Sequence, residues 1–242
     1  MTALAIQPRR YGASMPGWFY NLGRAAGRAG RKGKWLFESV TGAEEAILAA
    51  GHAVGRDMAD EVRREVGLDP DPKVRAMLER IGGRLVKRVK NKARRFEFWC
   101  VPADAPNAFA LPGGYVFVNR PLLELCQWDA DELAFVLGHE MAHVIRRHAA
   151  DRILHSSAIN VASRALPVRG AVGGWVKNIG MQRIASAYSQ ENEFEADALG
   201  AKLAAAAGYD ASKAISMLKR LDELQQRGGD EAISEYFSSH PP

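Results

Sequence analysis

His139-Glu140-Met141-Ala142-His143 carry the pattern H-E-x-x-H. Two imidazoles and one carboxylate at this spacing suit one kind of chemistry. On an α-helix, positions i and i+4 lie on one face a turn apart. His139 and His143 can therefore offer two neutral nitrogens to a single metal ion. Glu140 is offset around the helix yet within reach of a metal-bound water. Two nitrogen ligands, a carboxylate base and an open coordination position are what a zinc hydrolase needs. The competing reading is a core helix with two incidental histidines and a surface Glu.

A third protein ligand must come from elsewhere. The extended pattern H-E-x-x-H-x-x-G-x-x-H does not supply it: Arg146 stands where its Gly would be and Ala149 where its His would be. His148 falls at the wrong step. Downstream, Glu193 and Asp197 are again i and i+4, on a stretch through Leu203 that reads as a second helix, so their carboxylates share a face. Glu193 can bind the metal while Asp197 accepts a hydrogen bond from the far nitrogen of a ligand His, fixing its tautomer and raising its basicity. Alternatively, these acids form a solvated patch at a helix N-terminus, where carboxylates are favourable anyway.

The elements that must position these groups follow from periodicity. Asp129 and Glu132 resemble a capping box opening the first metal helix. Leu133, Val136, Leu137, Met141, Val144 and Ile145 recur at helical spacing and would bury one face. Gly138 costs helix stability, which makes sense if another backbone or a substrate comes close. Helices are predicted from Gly42 to about Val66 and from Lys73 to about Val89, with the turn Leu68-Asp69-Pro70-Asp71-Pro72 between them. Strands are predicted at Phe96–Val101, Ala108–Leu111 and Tyr115–Asn119. Further helices are expected from Ala211 to Gln226 and near Glu231 to Phe237. Helices dominate over a small sheet, so the fold class is α+β. Residues 1–40 form a basic N-terminal arm rich in Gly and Arg, and residues 41–242 a catalytic domain.

With both motifs in hand, the chain resembles the HtpX/Oma-type gluzincin metallopeptidases, the family that includes the prenyl-protein endopeptidases. The resemblance rests on Gly138-His139-Glu140-Met141-Ala142-His143-Val144 and on Glu193-Phe194-Glu195-Ala196-Asp197. Asn107-Ala108-Phe109-Ala110-Leu111-Pro112-Gly113-Gly114 is similar to the N-A-F-x-x-P-G-G stretch of that family, and Ser239-His240-Pro241 to its T/S-H-P motif. The matches run in the family's order from about Thr41 onward. The resemblance implies a zincin-like domain with one zinc ion, held by His139, His143 and Glu193 rather than Glu195. It also implies that Tyr115–Asn119 lies near the active-site helix as a sheet edge, where an extended peptide could add by main-chain hydrogen bonds.

The chemistry so implied is water attack on a peptide carbonyl, with Glu140 taking the water's proton and delivering it to the leaving amine. A donor for the oxyanion is needed, and Tyr188 and His240 are the candidates. His240 has a second candidate role: occupying the open metal position, it would hold the enzyme latent. A plain structural histidine is the alternative.

Composition sets the outer bounds. A chain of 242 residues with 47% hydrophobic residues can bury a sizeable core. Cys100 and Cys126 do not suggest a disulfide framework; they fit buried thiols or a reducing compartment, with a single bridge left open. The apolar stretch Ile153–Met181 is broken by Arg164, Pro167, Arg169 and Lys177, so no membrane span is expected there. Met1–Ile6 is too short for the apolar core of a signal peptide. The expected location is cytoplasmic, with a membrane-peripheral option. Net charge is +5, and ten Lys or Arg residues lie between Lys73 and Arg95 against one acid, Glu79. They form a solvated face, or a contact for an anionic membrane in preference to nucleic acid, for which no motif is present. Two function classes remain: a zinc metalloendopeptidase acting on peptide or unfolded-protein substrates, with protein quality control as its expected setting, and a non-proteolytic zinc-containing binding or chaperone-like module. Glu140 favours the first, because a structural zinc has no use for a general base.

Overall fold

The computed structural model describes residues 44–148, 151, 188–226 and 240. The N-terminal arm, the Ile153–Met181 stretch and the helix expected near 231–237 lie outside the described residues. The described chain runs α1 (Glu44–Glu65), α2 (Pro72–Val86), β1 (Glu97–Val101), β2 (Ala108–Leu111), β3 (Tyr115–Asn119), α3 (Arg120–Leu125), α4 (Ala130–Ile145), α5 (Gln190–Ala206), a 3-10 turn (Ala211–Lys213) and α6 (Ala214–Gln226). Helices dominate over one three-stranded mixed sheet, an α+β architecture.

Helices α2, α4 and α5 start where a side chain can satisfy free backbone N–H groups. Asp71 caps α2 ahead of Pro72, Asp129 caps α4 by accepting from the amides of Asp131 and Glu132, and Ser189 caps α5 through the amide of Asn192. The expected capping box at α4 is half correct. Asp129 caps, but Glu132 is buried and pairs with Arg220 of α6, which also donates to the Leu125 carbonyl. Glu132 thus fastens α6 to the first turn of α4. Helix α3, absent from the sequence expectation, is a six-residue segment opened by Pro121 directly after β3.

The sheet order is β1-β3-β2, with β1 parallel and β2 antiparallel to β3. Tyr115–Asn119 is therefore the central strand, not an edge. All five of its residues are buried, which explains the continuous apolar run Tyr115-Val116-Phe117-Val118. Among the described residues the edges are β1 and β2. The turn between β2 and β3 needs its glycines: Gly113 and Gly114 have φ of 81° and 97°. A Cβ on Gly113 would also stand 2.4 Å from the His52 Cα of α1, and one on Gly114 1.9 Å from the Arg95 carbonyl oxygen.

The core lies between α2, the sheet, α4 and α5, around Leu78, Ile81, Leu85, Val116, Val118, Leu133, Leu137 and Met141. A second cluster packs α1 through Val54, Met58 and Val62 against Leu111, Tyr115 and Phe117. Helix α4 was expected to bury one face. It is instead buried at every residue from Glu132 to Val144, as the central helix of the domain. Burial on all sides makes its polar residues the anomaly that points to function.

Candidate metal centre

Three of those polar residues are His139, Glu140 and His143, which are 7%, 2% and 0% exposed. Helix α5 crosses α4 at this level, and glycine makes the crossing close. A Cβ on Gly138 would lie 2.8 Å from the Gly200 carbonyl oxygen, and one on Gly200 2.7 Å from the His139 amide nitrogen. The backbone expected near Gly138 is thus that of Gly200. Two bare backbones in contact let Glu193 and Asp197, on the N-terminal turns of α5, reach across to the histidines.

The inner nitrogens converge. His139 Nε2 and His143 Nε2 are 3.0 Å apart. Glu193 presents Oε2 at 3.4 Å from His139 Nε2 and Oε1 at 3.4 Å from His143 Nε2. His240 completes the group, with Nδ1 3.0 Å from Glu193 Oε2 and 3.4 Å from His139 Nε2. All four donor atoms lie within 4.8 Å of one another and all four residues are buried. The outer nitrogens are occupied: His139 Nδ1 lies 2.9 Å from Asp197 Oδ1, and His143 Nδ1 3.0 Å from His148 Nδ1. The Tyr188 ring stacks on His143 with centroids 3.8 Å apart and planes 19° apart.

The donor set fits a tetrahedral zinc ion. Zinc–ligand bonds of about 2.1 Å give tetrahedral edges of about 3.4 Å, and the separations of His139 Nε2 from His143 Nε2, Glu193 Oε2 and His240 Nδ1, 3.0–3.4 Å, are of that size. Glu193 Oε1 is buried without a hydrogen bond, a cost a cation would remove. Two imidazoles and a carboxylate are the ligand types zinc accepts.

Burial alone would lower the pKa of His139, but hydrogen bonds with Asp197 and Glu193, and the charge of Glu140, outweigh it and push it up to about 10. Glu193 is opposed by burial in the same way, yet hydrogen bonds from His139 and His240 bring it down to about 2. His148 is lowered, chiefly by burial.

Glu140 lies beside the four donors, its Oε1 3.6 Å from His240 Nε2, which is also 3.4 Å from the Ala108 carbonyl oxygen of β2. A cavity of about 620 Å³ adjoins the site, with Ile47, Leu48, Pro112, Val144 and Arg147 in its wall beside His143.

Every residue singled out from the sequence, His139, Glu140, His143, Tyr188, Glu193, Asp197 and His240, is brought to this one place. Glu195 is not; it points to Arg146 and His148. Sequence reasoning missed His148 and Arg94. His148 is five residues past His143, off the i+4 face, and returns only because Arg147 takes a left-handed φ of 66°. Arg94 donates to the Val144 and Ile145 carbonyls at 3.3 and 3.2 Å, closing the C-terminus of α4. A basic run gave no sign which of its members would do so. Cys100 and Cys126 are free and buried, and burial pushes both thiols up to about 12. No helix among the described residues is long and apolar enough to cross a membrane.

The chain is similar to curated peptidases. It is 33% identical over 151 residues to the mitochondrial metalloendopeptidase OMA1 of Schizosaccharomyces pombe, covering 61% of this chain and 43% of that protein. It is 35% identical over 135 residues to the OMA1 of Arabidopsis thaliana, covering 56% and 27%. The beta-barrel assembly-enhancing protease of Yersinia pestis is 30% identical over 183 residues, covering 70% of this chain and 37% of that protein. The matched regions span less than half the length of these relatives. The model of Peptidase family M48 matches residues 72–242, from the start of α2 through His240, and with the histidines and Glu193 converging as described the chain belongs to peptidase family M48.

Proposed function

We propose that the chain is a zinc metalloendopeptidase that hydrolyses peptide bonds in peptide or unfolded-protein substrates, as part of protein quality control. The observation that carries this reading is the buried convergence of His139, His143 and Glu193 with Glu140 alongside. One zinc ion held by those three residues would supply a Lewis acid that activates water and polarises a carbonyl. Glu140 takes the proton of the attacking water and returns it to the leaving amide nitrogen. Asp197 holds His139 in the tautomer that turns Nε2 inward. A substrate strand adds to β2, the edge strand next to the site, rather than to β3. A side chain on that strand enters the adjoining cavity, which Pro112 and Gly113 border directly after β2.

His240 supports a latent form of the same enzyme. Its Nδ1 sits where a fourth ligand would, and its Nε2 lies near the Ala108 carbonyl of the proposed substrate strand site. In this position it closes the coordination shell against water and blocks the strand. Displaced, it can donate to the oxyanion; Tyr188, stacked on His143, is the second candidate donor. The non-proteolytic binding module is disfavoured because a closed structural zinc site leaves a buried Glu140 without purpose.

The exposed cations Arg80, Lys87, Arg88, Lys90 and Arg95 on α2 and the loop after it support peripheral contact with an anionic membrane, and no nucleic acid is expected. The free thiols support a reducing compartment, taken as the cytoplasm. Liposome binding that falls steeply with salt is the expected result; no binding at low salt removes that contact.

The decisive experiment is cleavage of casein by the zinc-loaded protein and by Glu140→Gln side by side. Cleavage by the parent alone establishes the reading. Equal cleavage by both refutes the role of Glu140, and no cleavage by the zinc-loaded parent and none by zinc-loaded His240→Ala, in which the proposed latch is gone, counts against the peptidase.

A further inference from the structure

The two ligand histidines are supported unequally. His139 has a carboxylate, Asp197, on its outer nitrogen. His143 has another imidazole, that of His148, at 3.0 Å from Nδ1 to Nδ1. Two facing nitrogens at that distance can share only one hydrogen. If Nε2 of His143 is turned to the metal, its Nδ1 carries the proton and donates. His148 Nδ1 must then be the bare acceptor, which puts the His148 proton on Nε2. That nitrogen faces the Glu195 carboxylate, with Oε2 at 3.6 Å.

The fold goes to some length to set this up. Helix α4 ends at Ile145, Arg146 makes its last turn, and Arg147 takes a positive φ rare for a residue with a side chain. The chain thereby doubles back and buries His148, 6% exposed, against the ring of His143 at 70° between planes. The Tyr188 ring stacks on His143, so stacking as well as the His148 contact holds that imidazole. On α5, Glu195 is kept close by Arg146, whose Nε is 3.5 Å from Glu195 Oε2. The middle acid of the E-x-E-x-D string thus has its own place: Glu193 to the metal position, Asp197 to His139, Glu195 to His148.

We infer that His148 is a positioning residue for the metal ligand His143, accepting its Nδ1–H through the tautomer that Glu195 favours. This rests on the metallopeptidase reading. Asp197 and the His148–Glu195 pair then form two arms of one outer shell, both reaching the histidines of α4 from beyond the metal face. An imidazole arm adds direction without placing a full negative charge next to His143.

The test is zinc affinity, measured by competition with a chromophoric chelator, for the parent, His148→Leu, His148→Asn and His148→Gln. The side-chain oxygen of Asn lies about where Nδ1 of His lies, and that of Gln about where Nε2 lies. Loss of an outer-shell partner costs metal affinity about 10–100-fold. The expected result is a loss of that size in H148L and H148Q, with H148N within about threefold of the parent. The thermal midpoints of the metal-free variants serve as the measure of packing alone. Should H148L fail to fold, the contrast between H148N and H148Q decides the matter. Affinity in H148L or H148Q equal to that of the parent overturns the proposal, as does an H148N no better than H148Q. A parent that binds no zinc overturns the metallopeptidase reading, and this inference with it.

Discussion

Replacing Gly200 by Ala tests the crossing on which the proposed metal centre depends. Alanine is the better helix former, by roughly 0.5–1 kcal/mol, so a free helix would gain. Here the added Cβ would stand 2.7 Å from the His139 amide nitrogen and 2.9 Å from its Cα, against an ordinary contact of 3.4 Å or more. Both neighbours are backbone inside a fully buried helix, so neither can swing aside. Helix α5 must withdraw by about 0.7 Å. Overpacking of this kind costs about 1–3 kcal/mol, leaving a net loss of about 1 kcal/mol after the helical gain. That lowers the thermal midpoint by a few degrees. The effect on the site should be larger. Asp197 lies one turn from Gly200, and a 0.7 Å retreat would stretch its 2.9 Å contact with His139 beyond hydrogen-bond range. Glu193 would withdraw with it. Zinc affinity should fall by about 10–100-fold. Gly83→Ala in α2 is the control: a Cβ there meets nothing within 4 Å, so it should stabilise by about 0.4–1 kcal/mol and leave zinc affinity alone. Calorimetry and chelator competition on both variants settle the point. A Gly200→Ala protein with an unchanged or raised midpoint and the parent's zinc affinity would refute the reasoning.

Other outcomes follow from the same geometry. His240→Ala should raise basal cleavage of casein several-fold if the histidine is a latch, whereas a fall in kcat at unchanged KM would mark it as the oxyanion donor. In the metal-free protein, the raised pKa of His139 contributes stability that is complete below about pH 6.5 and lost as pH rises through about 10. The lowered pKa of Glu193 contributes stability present above about pH 4.5 and lost as pH falls through about 2. Thermal midpoints in chelator should therefore fall from pH 6.5 to 9, while the increment given by zinc grows because binding displaces the His139 proton; a flat metal-free profile would count against this. Cys100 and Cys126 should resist a thiol-specific reagent at pH 8 in the native protein and react fully in denaturant, since burial holds both thiols near 12. Rapid native-state labelling would contradict their placement.

Much of the centre could be read from local spacing. The pairs His139/His143 and Glu193/Asp197 each sit one helical turn apart, and that regularity needs no tertiary knowledge. Gly138 announced a close backbone, though not that Gly200 would provide it. What stayed hidden depends on the path of the chain between regular elements. His148 reaches His143 through one left-handed residue, which no period reveals. Strand β3 was misplaced as an edge because a strand's position in a sheet follows from pairing partners, not from its own residues. Its unbroken apolar run did hold the correct answer, since an edge strand with a solvated side would alternate. Glu132 illustrates a competing partner: its spacing from Asp129 suits a capping box, but the Arg220 guanidinium, nearby only in the folded chain, takes the carboxylate.

The positions of the four donors along the chain also set an order of events during synthesis. His139 and His143 emerge together on one helix, Glu193 follows, and His240 comes 47 residues after Glu193. At about 5–20 residues per second, translation leaves some 2–9 s between the third donor and the fourth. If His240 is the latch, the nascent chain can complete its cutting site before its own safety catch has been made. Tunnel passage and slow closure of so distant a contact shift that interval without reversing it. Restraint of this enzyme would then be a property acquired last, and a chain stalled late in synthesis would be the least restrained form of it.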